Sequence, residues 1–214
     1  MKIYSYVVRY DDGVAPNPFW GYCTLAICKP RIRSVAAKGD WIVGTGSVEN
    51  VGNDRLIYAM RVTLEPMSFE EYESDKRFRN KIPIGVSGIK SLGDNIYYRD
   101  KNGDVRQRFP CAHSYNDKEN LQHKKHDLSG KNVLISKAGS FYYFGREAPR
   151  IPSRFRYIIK KGPGHKCNFT DAEKEAFVTW ILRNLKPGIH GKPWSFPRRV
   201  SCKTRKKDNV KSCK

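Results

Sequence analysis

DDGVAPNPFWGYCTLAICKPRIR, residues 11–33, joins a turn-rich loop to a run of strand-forming residues. Proline fixes φ, glycine accepts positive φ, and Asn and Asp side chains bond the nearby backbone, so residues 11–18 predict a rigid loop. Residues 22–28, YCTLAIC, are mostly apolar and β-compatible, and the run stops at Lys29-Pro30. The segment therefore predicts a strand with polar and thiol groups at both ends. Such an arrangement indicates either a nucleotide or base pocket or a structural loop that caps a barrel.

Strand-like runs recur along the chain on both sides of this segment. They cover residues 3–9, 41–46, 56–64, 132–136 and 141–144. One helix is predicted to begin at Ser68, and the capping box at residues 170–173 predicts another over 171–186. This order predicts an α+β fold with a curved, barrel-like mixed sheet of PUA-like character, followed by an amphipathic C-terminal helix and a basic tail.

Length and composition favour one domain. The chain has 214 residues, of which 39% are apolar, and this is enough for a real core. We expect a single domain over residues 1–190 and a basic, flexible tail over 191–214. Residues 109–132 are polar and hold three of the five histidines, so they predict a flexible lid or insertion.

The charge balance indicates the partner. The chain has 41 basic and 21 acidic residues and a formal net charge of +20, and residues 151–214 hold 17 of the basic residues but only 4 of the acidic ones. A field of this sign attracts phosphate, so we expect DNA or a nucleotide as the partner. A membrane partner is not expected, because no broad apolar helix face accompanies the basic residues. The sequence indicates no particular oligomeric state.

Several function classes are disfavoured by what the sequence lacks. It has no P-loop, no G-x-G-x-x-G after a strand and no deaminase zinc signature, which argues against an ordinary ATPase, a Rossmann enzyme and a zinc base deaminase. No export signal or membrane span is visible, and the six scattered cysteines indicate reduced thiols, so a cytoplasmic location is expected. No cofactor is indicated.

Polar residues of the loops are the candidates for chemistry and binding. We predict catalytic roles as general base, charge stabiliser or base-edge ligand for Asp11, Asn17, Lys29 and Asp94, although each carboxylate also suits a turn cap. The predicted nucleotide- or base-binding residues are Asp40, Trp41, Thr45, Gly46, Asn95 and Tyr97. The predicted phosphate contacts are Arg31, Arg33, Arg150, Arg154, Arg156, Lys160, Lys161, Arg198 and Arg199.

The cysteines offer a second chemistry. Cys23 or Cys28 could act as a nucleophile activated by Lys29 and a histidine from residues 113–126, because the reactive form of cysteine is the thiolate. Packing as inert core thiols is the interpretation that we favour for both. The spacings of Cys23 with Cys28 and of His123 with His126 match no defined zinc knuckle, so no metal site is predicted.

Five sequence blocks in order resemble the nucleotide modification associated domain 2 family over about residues 1–152. The blocks lie at residues 11–18 (D-x-G-x-A-P-N-P), 23–30 (C-T-L-A-x-C-K-P), 39–47 (G-D-W-I-V-G-T-G-S), 93–97 (G-D-N-I-Y), and 134–136 with 143–145. Val14 departs from the family pattern, which has a bulky aromatic residue there.

The resemblance implies a prokaryotic or phage protein associated with DNA base modification. It implies a module that binds, or chemically modifies, a base in a pocket built from residues 11–30, 39–47 and 93–97. Two non-catalytic alternatives stay open: a reader of modified DNA, and a binder or sponge of a free mono- or cyclic nucleotide.

Overall fold

The computed structural model describes residues 1–116 and 118–196, which form a mixed α+β fold with three β-sheets. The strands are β1 (Ile3–Val7), β2 (Tyr22–Leu25), β3 (Trp41–Thr45), β4 (Leu56–Arg61), β5 (Met67–Ser68), β6 (Tyr97–Arg99), β7 (Val105–Gln107), β8 (Asn132–Lys137), β9 (Phe141–Tyr143) and β10 (Gly188–Ile189). The α-helices are α1 (Pro30–Arg33), α2 (Phe69–Ser74), α3 (Leu121–Leu128) and α4 (Asp171–Asn184). Short 3₁₀ turns cover Lys76–Lys81, Ile89–Leu92, Gly145–Glu147 and Ser153–Ile158.

The largest sheet has five strands in the order β1-β3-β4-β9-β10. The outer pairs β1–β3 and β9–β10 are parallel, and the inner pairs β3–β4 and β4–β9 are antiparallel. A second, antiparallel sheet has the order β2-β8-β5, and β6 with β7 forms a hairpin. The α+β class is thus confirmed. No sheet of the described residues closes into a barrel, because β1 and β10, at opposite edges of the large sheet, do not pair with each other and β8 joins β2 in a separate sheet.

Two apolar clusters hold these sheets together. The larger one lies on β1, β3, β4 and β9 and takes in Phe177, Trp180 and Ile181 of α4. The smaller one packs the β2–β8 sheet against residues that include Tyr72, Phe78, Leu92 and Ile96. Helix α4 begins at the capping box of Thr170 and Glu173, as the sequence predicts.

The polar segment 109–132 packs into the molecule. It carries α3, which begins at Asn120, where the side chain accepts a hydrogen bond from the backbone NH of His123. His113 and Asp127, from this segment, are buried. Within the described parts of the chain, no helix has the length and apolar character needed to cross a bilayer.

Candidate active site

The segment that contains β2 ends in a sharp turn at Cys28 and Lys29. Their φ angles are 59° and 43°, in the left-handed region that residues with a side chain rarely adopt. Lys29 is also the N-cap residue of α1, so the four residues 26–29 carry the chain from the end of β2 to the start of the helix. Strained strand-to-helix turns of this kind present the nucleophile in several hydrolases. Cys28 is only partly buried, whereas Cys23 on β2 is fully buried and burial raises the pKa of its thiol to about 12.

Cys28, His113 and Asp127 form a hydrogen-bonded chain. The Cys28 Sγ lies 3.6 Å from His113 Nε2, and His113 Nδ1 lies 2.6 Å from Asp127 Oδ2. Asp127 Oδ2 also accepts a hydrogen bond from the Tyr97 hydroxyl at 2.7 Å, and its Oδ1 accepts one from the Cys28 backbone NH at 2.8 Å. Thiol, imidazole and carboxylate thus follow one another in the order of a nucleophile, its base and the group that orients the base.

The electrostatics of this triad favour a charged pair. Burial raises the pKa of Asp127, but His113 and the hydrogen bonds from Cys28 and Tyr97 outweigh it and bring the pKa down to about 2. Burial lowers the pKa of His113, but Asp127 and Cys28 outweigh it and raise the pKa well above its usual value. The raised pKa favours the imidazolium form of His113, in which Nε2 is a donor facing the Cys28 sulfur. An imidazolium in this position attracts the negative charge of a thiolate.

Arg33 binds the backbone around the triad. Its fully buried guanidinium donates to the carbonyl oxygens of Cys28 and Asn132, each at 2.7 Å, and to the carbonyl of Asp127. Gly130 leaves room for this group, because a Cβ there would lie 2.5 Å from the guanidinium carbon. Arg33, a predicted phosphate contact, uses its guanidinium inside the protein.

The same three side chains are close enough to hold a metal ion. Their donor atoms lie within 4.8 Å of one another. Both oxygens of Asp127 already accept hydrogen bonds from protein donors, and both ring nitrogens of His113 have partners. A metal ion would have to displace these contacts, so the arrangement suits proton transfer better than metal binding.

Asn17, a predicted catalytic residue, lies in a second buried cluster. Lys81 donates to its backbone oxygen at 2.9 Å, to its Oδ1 at 2.7 Å and to the Tyr22 carbonyl at 2.8 Å. Asn17 in turn donates to the carbonyl of Leu92 at 2.7 Å. Burial lowers the pKa of Lys81 to about 8. These contacts tie the loop 11–18 to β2 and to the 3₁₀ turn of Lys81.

Asp94, another predicted catalytic residue, belongs to the same cluster. It accepts hydrogen bonds from Thr24 at 2.6 Å and Tyr72 at 2.7 Å, and burial raises its pKa. Asn95 beside it is also buried and donates to the Tyr72 carbonyl at 3.2 Å. The structure therefore brings Asn17, Asp94 and Asn95 together, but in the interior.

Asp11 holds a different part of the chain. Its carboxylate accepts hydrogen bonds from the Tyr143 hydroxyl at 2.5 Å and from the Trp194 backbone NH at 3.1 Å. The Ser195 NH donates to the Asp11 carbonyl at 2.7 Å. Burial raises the pKa of Asp11 to about 6. Asp11 thus anchors residues 194–195, which the sequence assigns to the tail.

Asp40 and Trp41, at the start of β3, are predicted to bind a base, but their contacts lie away from the triad. Asp40 accepts from the backbone NH groups of Lys2 at 2.7 Å and Ala37 at 3.0 Å, which is a turn-capping role. Trp41 stacks on Tyr142 with a centroid distance of 6.2 Å. Asp40, Trp41 and Tyr142 line a cleft of about 590 Å³ that contains no triad residue.

The remaining members of that predicted set are buried. Thr45 donates to the Tyr6 carbonyl at 3.4 Å, and a Cβ on Gly46 would lie 2.2 Å from the Gly52 oxygen. Tyr97 is the one residue of the set that contacts the triad, through its hydrogen bond to Asp127.

The predicted phosphate contacts lie mostly on the surface. Those that are exposed are Arg31, Arg150, Arg154, Arg156 and Lys161, and Lys160 is half-buried. Arg150 lies 3.8 Å from Asp54, and Lys29 stands 4.4 Å over the ring of Tyr6. Arg198 and Arg199 lie outside the described residues.

Comparison with known proteins now gives the family. The sequence model of nucleotide modification associated domain 2 matches residues 1–200. The chain belongs to this family. This match extends beyond residues 1–152, which the sequence blocks cover, so it also includes α4 and residues 191–196. No curated protein and no solved structure shows a significant match to the chain.

Sequence reasoning missed three residues of this domain. It considered Cys28 as a nucleophile and placed its base within residues 113–126, but it did not single out His113 or the buried Lys81, and it considered Asp127 only as the residue that could orient the neighbouring His126. One available signal was a polar segment with three histidines in a chain that has five. Nothing in the sequence marks Asp127 or Lys81 as buried.

Proposed function

We propose that this protein is a nucleotide-modifying enzyme in which Cys28 is the nucleophile, His113 transfers the proton and Asp127 holds His113 in place. The triad geometry carries this proposal, because a partly exposed thiol lies 3.6 Å from a buried imidazole that is hydrogen-bonded to a carboxylate. The family supplies the biological context, which is association with nucleotide modification.

The chemistry is transfer through a covalent intermediate. The Cys28 thiolate attacks an electrophilic carbon that bears a leaving group, so the sulfur–carbon bond forms as the bond to the leaving group breaks. His113 Nε2 gives its proton to the leaving group. A second nucleophile, such as an amine, a hydroxyl or water, then loses its proton to His113 and attacks the same carbon. The sulfur–carbon bond breaks, and the thiolate and imidazolium are restored.

DNA is the substrate or partner that we propose. The net charge of +20 supports this, since counterion release favours binding of a phosphate backbone to a basic surface. The proposed pocket takes in the segments 11–30 and 93–97, which meet at the hydrogen bond between Thr24 and Asp94. The segment 39–47 contains β3, which pairs with β1. Tyr6 of β1 contacts Lys29, whose Nζ lies 4.4 Å from the centre of the tyrosine ring.

Other features of the proposal rest on the sequence. They are a domain boundary near residue 190, a cytoplasmic location and a PUA-like relationship of the sheet.

Mass spectrometry of DNA nucleosides tests the function. Cells expressing the wild type are compared with cells expressing Cys28→Ser, His113→Asn and, as a matched control, Cys167→Ser, which changes an exposed thiol outside the triad. We expect an altered nucleoside with the wild type and Cys167→Ser and none with the two triad variants. Circular dichroism checks that each variant is folded.

Two outcomes contradict the proposal. Persistence of the altered nucleoside with Cys28→Ser would show that the thiol is not the nucleophile. No altered nucleoside with the wild type, together with selective binding of modified DNA or tight binding of a free nucleotide, would identify a reader or a sponge.

A further inference from the structure

Four basic side chains gather beside β1. We call Lys29, Arg31, Lys160 and His165 the basic cluster. Two backbone hydrogen bonds between Ser5 and Lys166, of 2.9 and 2.8 Å, fasten the chain around His165 to β1. The His165 ring lies 5.8 Å from the ring of Tyr4, and Lys29 Nζ lies 4.4 Å from the ring centre of Tyr6.

The placement on β1 puts these groups on one surface. Tyr4 and Tyr6 are two residues apart on a strand and therefore point to the same face of the sheet. His165 and Lys29, which contact these two rings, lie over that face. Two chain segments, residues 29–31 and 160–166, thus meet beside β1.

The basic cluster concentrates positive charge around His165. The pKa of His165 is lowered, first by burial and then by the charges of Arg31, Lys29 and Lys160, so each of these three cations lies near His165. Neither Arg31 nor Lys160 forms an ion pair with any residue in the described ranges 1–116 and 118–196. Like charges held together by the fold repel one another, and an anion relieves this repulsion.

The basic cluster borders the triad. Lys29 directly follows Cys28, and the pKa of Tyr6, beneath Lys29, is raised first by burial and also by the nearby Cys28. On the other side, the pKa of His126, next to Asp127, is lowered by burial and by charges that include His113 and Lys29. Lys29 therefore lies next to Cys28 in the chain and also near His165 of the basic cluster.

We propose that the basic cluster binds a phosphate group of the molecule that reacts at Cys28. This inference rests on the proposed function, since it assigns the substrate of the same site. A phosphate accepts hydrogen bonds from a guanidinium and ammonium groups at once, and Arg31 with Lys160 offers both. The phosphate is either a phosphodiester of DNA or the terminal phosphate of a free nucleotide.

Protection of Cys28 from alkylation tests the inference without any turnover. The rate of Cys28 labelling by iodoacetamide is followed by peptide mass spectrometry with increasing amounts of a single-stranded oligonucleotide or of deoxynucleoside 5′-monophosphates. The double variant Arg31→Gln/Lys160→Gln is compared with the control Arg183→Gln/Lys186→Gln, which removes the same two charge types from exposed positions at the end of α4.

We expect the wild type and the control to be protected at similar ligand concentrations. The cluster variant should need about tenfold more ligand, as the loss of two charged phosphate contacts implies. Protection by the oligonucleotide alone identifies a phosphodiester, and protection by mononucleotides at lower concentration identifies a free nucleotide. Equal protection of the cluster variant and the control, or no protection of the wild type, overturns the inference.

Binding to a variant without the thiol separates this inference from the proposed function. The affinity of Cys28→Ser for a fluorescent oligonucleotide and a fluorescent nucleotide is measured with and without Arg31→Gln/Lys160→Gln. If the proposed function fails but the phosphate site exists, cluster-dependent binding persists although no altered nucleoside is made. If only the phosphate site fails, nucleoside modification depends on Cys28 while binding is unaffected by the cluster substitutions.

Discussion

Replacing Lys81 by methionine removes a cation that the interior of the protein holds with three hydrogen bonds. The side chain is only 1% exposed, and its acceptors are the two oxygens of Asn17 and the carbonyl of Tyr22, at 2.7 to 2.9 Å. Methionine fills a similar volume but donates no hydrogen bond, so these acceptors lose their partner and the buried Asp94 loses a nearby positive charge. Breaking one side of a buried charged network costs about 3–5 kcal/mol of unfolding free energy.

The pH dependence of that loss is the sharper part of the prediction. The pKa of Lys81 falls from 10.5 to about 8 on folding, so between these values the unfolded chain binds a proton that the folded protein has lost. Unfolding free energy therefore rises with pH in this window. From pH 7 to pH 9.5 the wild type gains about 2 kcal/mol from this group alone. Lys81→Met lacks the gain, so the difference between the two proteins should widen by that amount.

Urea unfolding followed by tryptophan fluorescence, at pH 7 and pH 9.5, measures both quantities. Lys101→Met is the matched control, since Lys101 is exposed in the turn between β6 and β7. We expect the control to stay within about 0.5 kcal/mol of the wild type at both pH values. A Lys81→Met protein that loses less than about 1 kcal/mol, or a loss that is equal at both pH values, would refute the assigned burial and pKa of Lys81.

Two further predictions concern Asp11 and Arg33. The pKa of Asp11 rises from 3.8 to about 6 on folding, so the folded protein binds a proton at a higher pH than the unfolded chain does. The unfolding free energy of the wild type should therefore increase by about 1.4 kcal/mol as the pH falls from 7.5 to 5. Asp11→Asn should lack this gain in urea unfolding, and an identical pH dependence of both proteins would contradict the prediction. Arg33→Met should lose about 3 kcal/mol or more and slow the alkylation of Cys28, because three buried carbonyls lose their donor. Gly130→Ala, which crowds the guanidinium, should slow alkylation too, and unchanged rates in both variants would show that Arg33 does not position the thiol.

Local features of the fold were predictable because short-range chemistry determines them. The capping boxes at Ser68 and Thr170 start helices where the sequence predicts them. The strand at 22–28 was predicted too long, since it ends at Leu25 and its last residues turn at Cys28. The division into separate sheets was not predictable, because the pairing of β8 with β2 joins residues more than 100 positions apart.

The site was harder to predict than the fold. Asp11, Asn17 and Asp94 lie in turn-rich blocks, and a polar residue in such a block looks the same whether it faces a pocket or the interior. The structure places all three at 1% exposure or less, with internal hydrogen-bond partners. The triad, by contrast, joins Cys28 to residues 85 and 99 positions away, and periodicity and local propensity carry no information on contacts at that range.

Backbone strain alone does not single out Cys28, since Trp20 and Lys131 also have positive φ. What distinguishes the turn at Cys28 is that the surrounding structure over-determines it. A left-handed conformation at a residue with a side chain costs about 1–3 kcal/mol, and such strain persists only where other contacts outweigh it. Here the contacts are the hydrogen bond from the Cys28 NH to Asp127 and the one from Arg33 to the Cys28 carbonyl.

Buried cations hold both ends of the segment 11–33. Lys81 binds the start of the segment through Asn17, and Arg33 binds its end to Cys28 and Asp127. Both cations are buried at a desolvation cost that lowers their pKa. A stable core does not by itself require buried cations, since a cluster that is apolar throughout is often at least as stable. Two buried cations that fix the loop and the turn on either side of β2 are instead what the proposed nucleophile would require, because covalent catalysis depends on holding the nucleophile and its base within a few tenths of an ångström.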